Sequence, residues 1–189
     1  MYGLEMVEAA LDAWILEGES LLHRTVQELG ESPILTDLTL THVEMLLQKG
    51  VNVDARNKNK ATPLHVAVKY ANLAMVKLLV AHRADLEALN KHGATPLHNA
   101  CREGSPEIVS YLIRIGCNIN AMTHDQDTPL HQAVHKNKID NMVLLILAGA
   151  DTDKKNHQGR KAKKIKSEQA TKLAYADAVK AMIDLGGSF

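Results

Sequence analysis

The sequence predicts an all-α solenoid: stacked helix-turn-helix units joined by short turn or hairpin tips. Three observations predict it. The tetrapeptide "TPLH" stands at residues 62–65, 95–98 and 128–131, each copy 33 residues after the one before. An apolar decapeptide begins 14 residues after each Thr: "VKLLVAHRAD" (76–85), "VSYLIRIGCN" (109–118) and "MVLLILAGAD" (142–151), with a further copy, "VEMLLQKGVN", at 43–52. Gly50, Arg83, Gly116 and Gly149 then share one register, at the point where a helix has to stop. Self-similarity at a fixed period of this size marks a repeat architecture. With 46% apolar but only 3% aromatic residues, its core has to be aliphatic.

The elements follow in order. Leu4, Val7, Leu11 and Ile15 recur at helical spacing, so residues 3–16 read as a helix covering the open end, with Trp14 against the first repeat. "GESLLH" (18–23) is a degraded copy of the motif, with Ser20 as cap and His23 in the place of the motif His. From Ser20 to Val43 the chain runs 23 residues, where later copies take 14. The excess reads as a loop over Gly30–Thr39 with Ile34, Leu35 and Leu38 in it, and Thr41-x-x-Glu44 as a capping box that restarts the second helix. In the regular copies Thr62, Thr95 and Thr128 are N-caps, and Pro63, Pro96 and Pro129 occupy the first helical position, where a missing N–H costs nothing. Leu64, Ala67 and Val68 line the buried face of that first helix. It ends near Gly104 or Asn137, which tolerate left-handed backbone, with Ala71 as a weaker counterpart. The second helix starts at Ser105-Pro106-Glu107 in one copy; its buried stripe is Val76, Leu79 and Val80, then Ile108, Val109 and Leu112. "KHGA" (91–94) is the turn that leads into the next Thr.

A 33-residue period carrying T-P-L-H-x-A resembles the ankyrin-repeat family, closely over 58–156 and more loosely over 18–57. The implied organisation is a single domain: capping helix 3–16, repeat 1 with its insertion (18–57), repeats 2 (58–90), 3 (91–123) and 4 (124–156), and a polar C-terminal capping repeat (157–189). In that last unit Lys161, Ala162, Lys163 and Lys164 replace the motif, as a terminal repeat facing water requires. The resemblance implies that the motif histidines His65, His98 and His131 hydrogen-bond between loops. It implies a protein-binding module, a scaffold, adaptor or inhibitor, that takes its partner on a concave face of turn tips and first helices. By register those positions are Lys58, Asn59, Lys91, His92, His124 and Asp125 on the tips, and Lys69, Tyr70, Arg102, Glu103, His135 and Lys136 on the helices. The set is rich in basic residues, which suits a partner with an acidic surface, and Tyr70 and Arg102 are the expected anchors.

Net charge is zero, but residues 1–48 carry nine acids against Arg24 alone, and 154–172 carry eight bases against Glu168 alone. Arg160, Lys161, Lys163, Lys164 and Lys166 form a basic run, a candidate for nuclear import or polyanion contact, with a solvated capping helix as the plainer reading. A nuclear or nucleic-acid-associated regulator is therefore one alternative function, and a pathogen or viral effector in a host cell is another. His131 and His135 have the spacing of a metal pair, but no third ligand and no H-E-x-x-H accompany them. Register splits them: His131 belongs to the motif, and His135 shares its position with Lys69 and Arg102. Cys101 and Cys117 replace small apolar residues and read as packing thiols of an intracellular protein. No phosphate loop, nucleophile elbow or paired-carboxylate motif occurs. The expectation is a cytoplasmic monomer, not an enzyme, with no cofactor, no metal, no small-molecule substrate and no membrane span.

Overall fold

A computed structural model describes residues 21–31, 36–103 and 105–162. They hold eight helices and no strand beyond an isolated bridge between Lys155 and Lys161. The expected all-α repeat fold is what the chain adopts. It divides into two compact units, Met1–Lys91 and His92–Phe189.

The first unit stacks two helical hairpins. α1 (Leu21–Glu31) and α2 (Thr36–Gln48) form one, α3 (Pro63–Lys69) and α4 (Leu73–Ala81) the other. α1 packs on α3 and α2 on α4, so each hairpin buries what its neighbour exposes. Leu22 and Val26 of α1, Val43 and Leu47 of α2, and Leu64, Val68, Met75, Val76 and Leu79 are buried. Val80, expected in this stripe, is only half-buried, and Met75 takes its place. The second unit repeats the plan with α5 (Pro96–Glu103), α6 (Pro106–Arg114), α7 (Pro129–His135) and α8 (Ile139–Leu147). α5 packs on α7 and α6 on α8 around Leu97, Cys101, Ile108, Leu112, Leu130, Met142 and Leu145.

Two expectations for the first repeat need correction. The excess residues do not make one loop over Gly30–Thr39. They lengthen the helices: α1 runs to Glu31 and α2 begins at Thr36, giving 11 and 13 residues against 7 to 9 in later copies. Thr41 therefore lies inside α2 and is no N-cap. The run Thr36–Thr41 has no Gly or Pro to stop a helix from starting early. The capping helix 3–16, Ser20, Ile34 and Leu35, and Lys163, Lys164 and Lys166 lie outside the described residues.

The helix ends follow from local chemistry. Thr62 and Thr128 are extended N-caps with Pro at the first helical position. Helices stop where the backbone turns left-handed: Ala71 (φ 53°) and Asn137 (φ 54°) after the first helix of a repeat, Gly50, Arg83, Gly116 and Gly149 (φ 85°, 65°, 89° and 84°) after the second. Gly, Gly and Gly tolerate this at no steric cost; Arg83 and Ala71 do not.

Candidate protein-binding surface

The tips are built by side chains that hold their own backbone. In the first unit, Asn57 Oδ1 accepts from the N–H groups of Asn59 (2.9 Å) and Ala61 (3.1 Å). In the second, Asn156 Oδ1 accepts from Gln158 (3.1 Å) and Arg160 (3.0 Å), and the Thr123 hydroxyl accepts from Asp127 N–H (3.2 Å). A short polar side chain that mimics a turn is why Asn and Thr recur at this register. Lys60, Gly93, Gln126 and Gly159 close the tips in left-handed geometry.

Successive tips are tied by backbone. Lys91 N–H donates to Asn59 O (2.8 Å) within the first unit, and Lys91 Nζ reaches Asn59 Oδ1 (2.7 Å). Within the second, His124 N–H donates to His92 O (3.1 Å) and His157 N–H to Asp125 O (2.8 Å).

The motif histidines lock each tip to the helix behind it. Thr128 N–H donates to His131 Nδ1 (3.2 Å), with the Thr128 hydroxyl 2.8 Å from the same nitrogen. Because Nδ1 accepts a backbone N–H, the ring proton sits on Nε2. Nε2 therefore donates, to Arg160 O at 3.0 Å. His98 does the same with Thr95 and with Asp127 O (3.0 Å). His23, in the degraded motif, sits buried with Nε2 2.8 Å from Ala61 O. His65 Nδ1 accepts from Thr62 N–H at 3.2 Å. The Thr-Pro-x-His motif is thus a capping box with imidazole where Glu usually stands. Both nitrogens of His131 are occupied, so it has no lone pair to offer a metal.

A family model for ankyrin repeats (3 copies) matches the chain over residues 3–90, 36–123 and 83–156. The chain belongs to the ankyrin-repeat family. No curated protein matches it significantly. Ankyrin repeats are in general protein–protein interaction modules and typically not enzymes. No helix among the described residues is long and apolar enough to cross a membrane.

In this ankyrin chain, the register positions proposed for a partner lie where tip and inner-helix residues meet water. Lys58, Lys69 and Lys91 in the first unit are exposed, as are His92, Arg102, Glu103, His124, Asp125, His135 and Lys136 in the second. Asn59 is half-buried by its bonds to Lys91. Tyr70 is not the exposed anchor expected: it is half-buried, with the Lys69 ammonium 5.2 Å above its ring. Arg102 is no free cation, because Glu103 beside it accepts from its guanidinium at 3.0 Å. Lys161 of the basic run likewise pairs with Asp153 at 2.7 Å.

Sequence reasoning missed Asp127. It is the residue before the third "TPLH", where the first two copies carry Ala61 and Ala94. Its buried carboxylate accepts from Asn156 Nδ2 (2.9 Å) and Gln132 Nε2 (3.1 Å), and His135 Nε2 lies 3.9 Å away. Asp127 thereby joins the open side of α7 to the neighbouring tip. The one signal for it was an Asp at an Ala register. Cys101 is buried, and burial first, then the neighbouring Cys117, pushes its thiol well above the ordinary thiol range. That disfavours the thiolate that thiol chemistry needs.

Proposed function

We propose that the chain is a scaffold, adaptor or inhibitor that binds a partner protein on the tips and the exposed side of the inner helices of its repeats. The tip-to-tip backbone bonds carry this reading. They prearrange the exposed side chains, so little conformational freedom is lost when a partner docks. The first unit offers Lys58, Lys69 and Lys91 and favours a partner with an acidic surface there. We further place it in the cytoplasm, on the reading of its two cysteines as reduced thiols.

An affinity pull-down from lysate comparing wild type with Lys69→Glu/Lys136→Glu tests it. Both side chains are exposed and neither makes an ion pair with a carboxylate at the distances above, so the variant should fold normally. Loss of specific partners on charge reversal is expected. Recovery of the same partners by both proteins sinks the assignment of these surfaces.

A further inference from the structure

The two units expose different kinds of positive charge. The tips and inner helix of the first carry Lys58, Lys60, Lys69 and Lys91, and no carboxylate occurs between Ala55 and Ala84. In the second unit the register position of Lys58 carries His124 and His157, that of Asn59 carries His92, and that of Lys69 carries Arg102 and His135; all four histidines are exposed. The tip bonds place three of them along one strip: His124 hangs on the His92 carbonyl, and His157 on the carbonyl of Asp125, the residue after His124. His135 joins the strip through Asp127, whose carboxylate also holds Asn156 at the base of the His157 tip.

Asp127 lies 3.9 Å from His135, and further charged residues belong to the same tips and helices. Arg102 of α5 is neutralised by Glu103. Lys136 follows α7 and Arg160 closes the last tip, against Asp125 and Asp127; Lys155 and the Lys161–Asp153 pair flank that tip. While the imidazoles are neutral, the residues outside these two pairs are three cations (Lys136, Lys155, Arg160) against two carboxylates (Asp125, Asp127), one net positive charge. Imidazole is the side chain whose charge changes between pH 8 and 5. Protonating four of them turns this surface strongly positive.

We propose that the second unit binds acidic polypeptide in a proton-dependent way, weakly at neutral pH and tightly on mild acidification, while the lysine face of the first unit binds it regardless of pH. This rests on the reading of these faces as protein-binding surfaces. Asp125 and Asp127 set the sign of the switch: beside neutral imidazoles they repel an acidic segment, and beside imidazolium they are compensated.

The test uses a fluorescent poly-aspartate peptide and the full chain, by fluorescence polarisation at constant ionic strength, at about pH 7.5 and about pH 5.5. Poly-aspartate stays ionised over that range. Affinity should rise by about tenfold or more on acidification. The variant His92→Gln/His124→Gln/His135→Gln/His157→Gln should keep the affinity seen at the higher pH and lose the increase. All four positions are exposed, and far-UV circular dichroism at both pH values verifies its folding. A wild type with no increase, or a quadruple variant with the same increase, overturns the proposal. Contact through the basic run at 160–166 would persist, flat with pH, in that variant. The charge-reversed Lys69→Glu/Lys136→Glu protein separates the two claims. If it loses partners in the pull-down while poly-aspartate binding ignores pH, the surface stands and the switch falls. If poly-aspartate binds it as tightly as wild type at both pH values, the lysines take no part and the surface falls, while the quadruple histidine variant alone decides the switch.

Discussion

Gly93 and Gly116 share a backbone and differ in their surroundings, which makes them a controlled pair within one unit. Both are left-handed, at φ 72° and 89°. A Cβ on Gly116 would meet nothing within 4 Å. A Cβ on Gly93 would lie 2.5 Å from Cδ2 of His124 and 2.8 Å from its backbone nitrogen. That nitrogen is held by its bond to the His92 carbonyl, so it cannot yield as a side chain does. Left-handed geometry costs an L-residue about 1–2 kcal/mol, of which about 0.5–1 is recovered because Ala stiffens the unfolded chain. Gly116→Ala should therefore destabilise by about 0.5–1 kcal/mol. Gly93→Ala adds an overpacking cost of about 1–3 kcal/mol, for about 1.5–4 in all. Urea titrations followed by circular dichroism measure both. His124→Ala in the Gly93→Ala background should rescue only part of the loss, since the backbone collision remains. Equal losses at the two glycines would refute the account of the tip as a site of close approach. By the same reasoning Arg83→Gly, which relieves a left-handed Arg that is exposed, should stabilise by about 0.5–1 kcal/mol.

Two further outcomes are expected. His131→Ala should destabilise by about 3 kcal/mol, because it leaves the Thr128 N–H and the Arg160 carbonyl without their partner, whereas His135→Ala, at an exposed position, should stay within about 0.5 kcal/mol; equal effects in thermal or urea unfolding would contradict the split between the two histidines. Cys101 should react with a thiol reagent only as fast as the protein opens, while the half-buried Cys117 reacts sooner. The folded state holds the Cys101 proton more tightly than the unfolded state does. Its contribution to stability is therefore full below the ordinary thiol value of 9.0 and is lost as pH rises above it, which a urea titration repeated at increasing pH would detect.

What could be read from the chain was local or periodic. A Thr that caps, a Pro that needs no N–H, and a Gly or Asn that turns left-handed each act within a few residues, and their recurrence every 33 residues specifies the fold class. The separation of His131 from His135 also came from register alone. The start of α2 did not, because Thr41-x-x-Glu44 has the same sequence whether it caps a helix or continues one that began at Thr36. The character of the surface depended on tertiary structure too. Arg102 and Tyr70 looked available until Glu103 and Lys69 were placed against them, and the part played by Asp127 was not read from the sequence at all. Its carboxylate is buried because the tip 29 residues further on brings Asn156 to it. Turn and helix geometry are set by neighbours along the chain, and the sequence by itself determined them. Which exposed charges are spent on each other is set by side chains that meet through folding, and only the tertiary structure decided it.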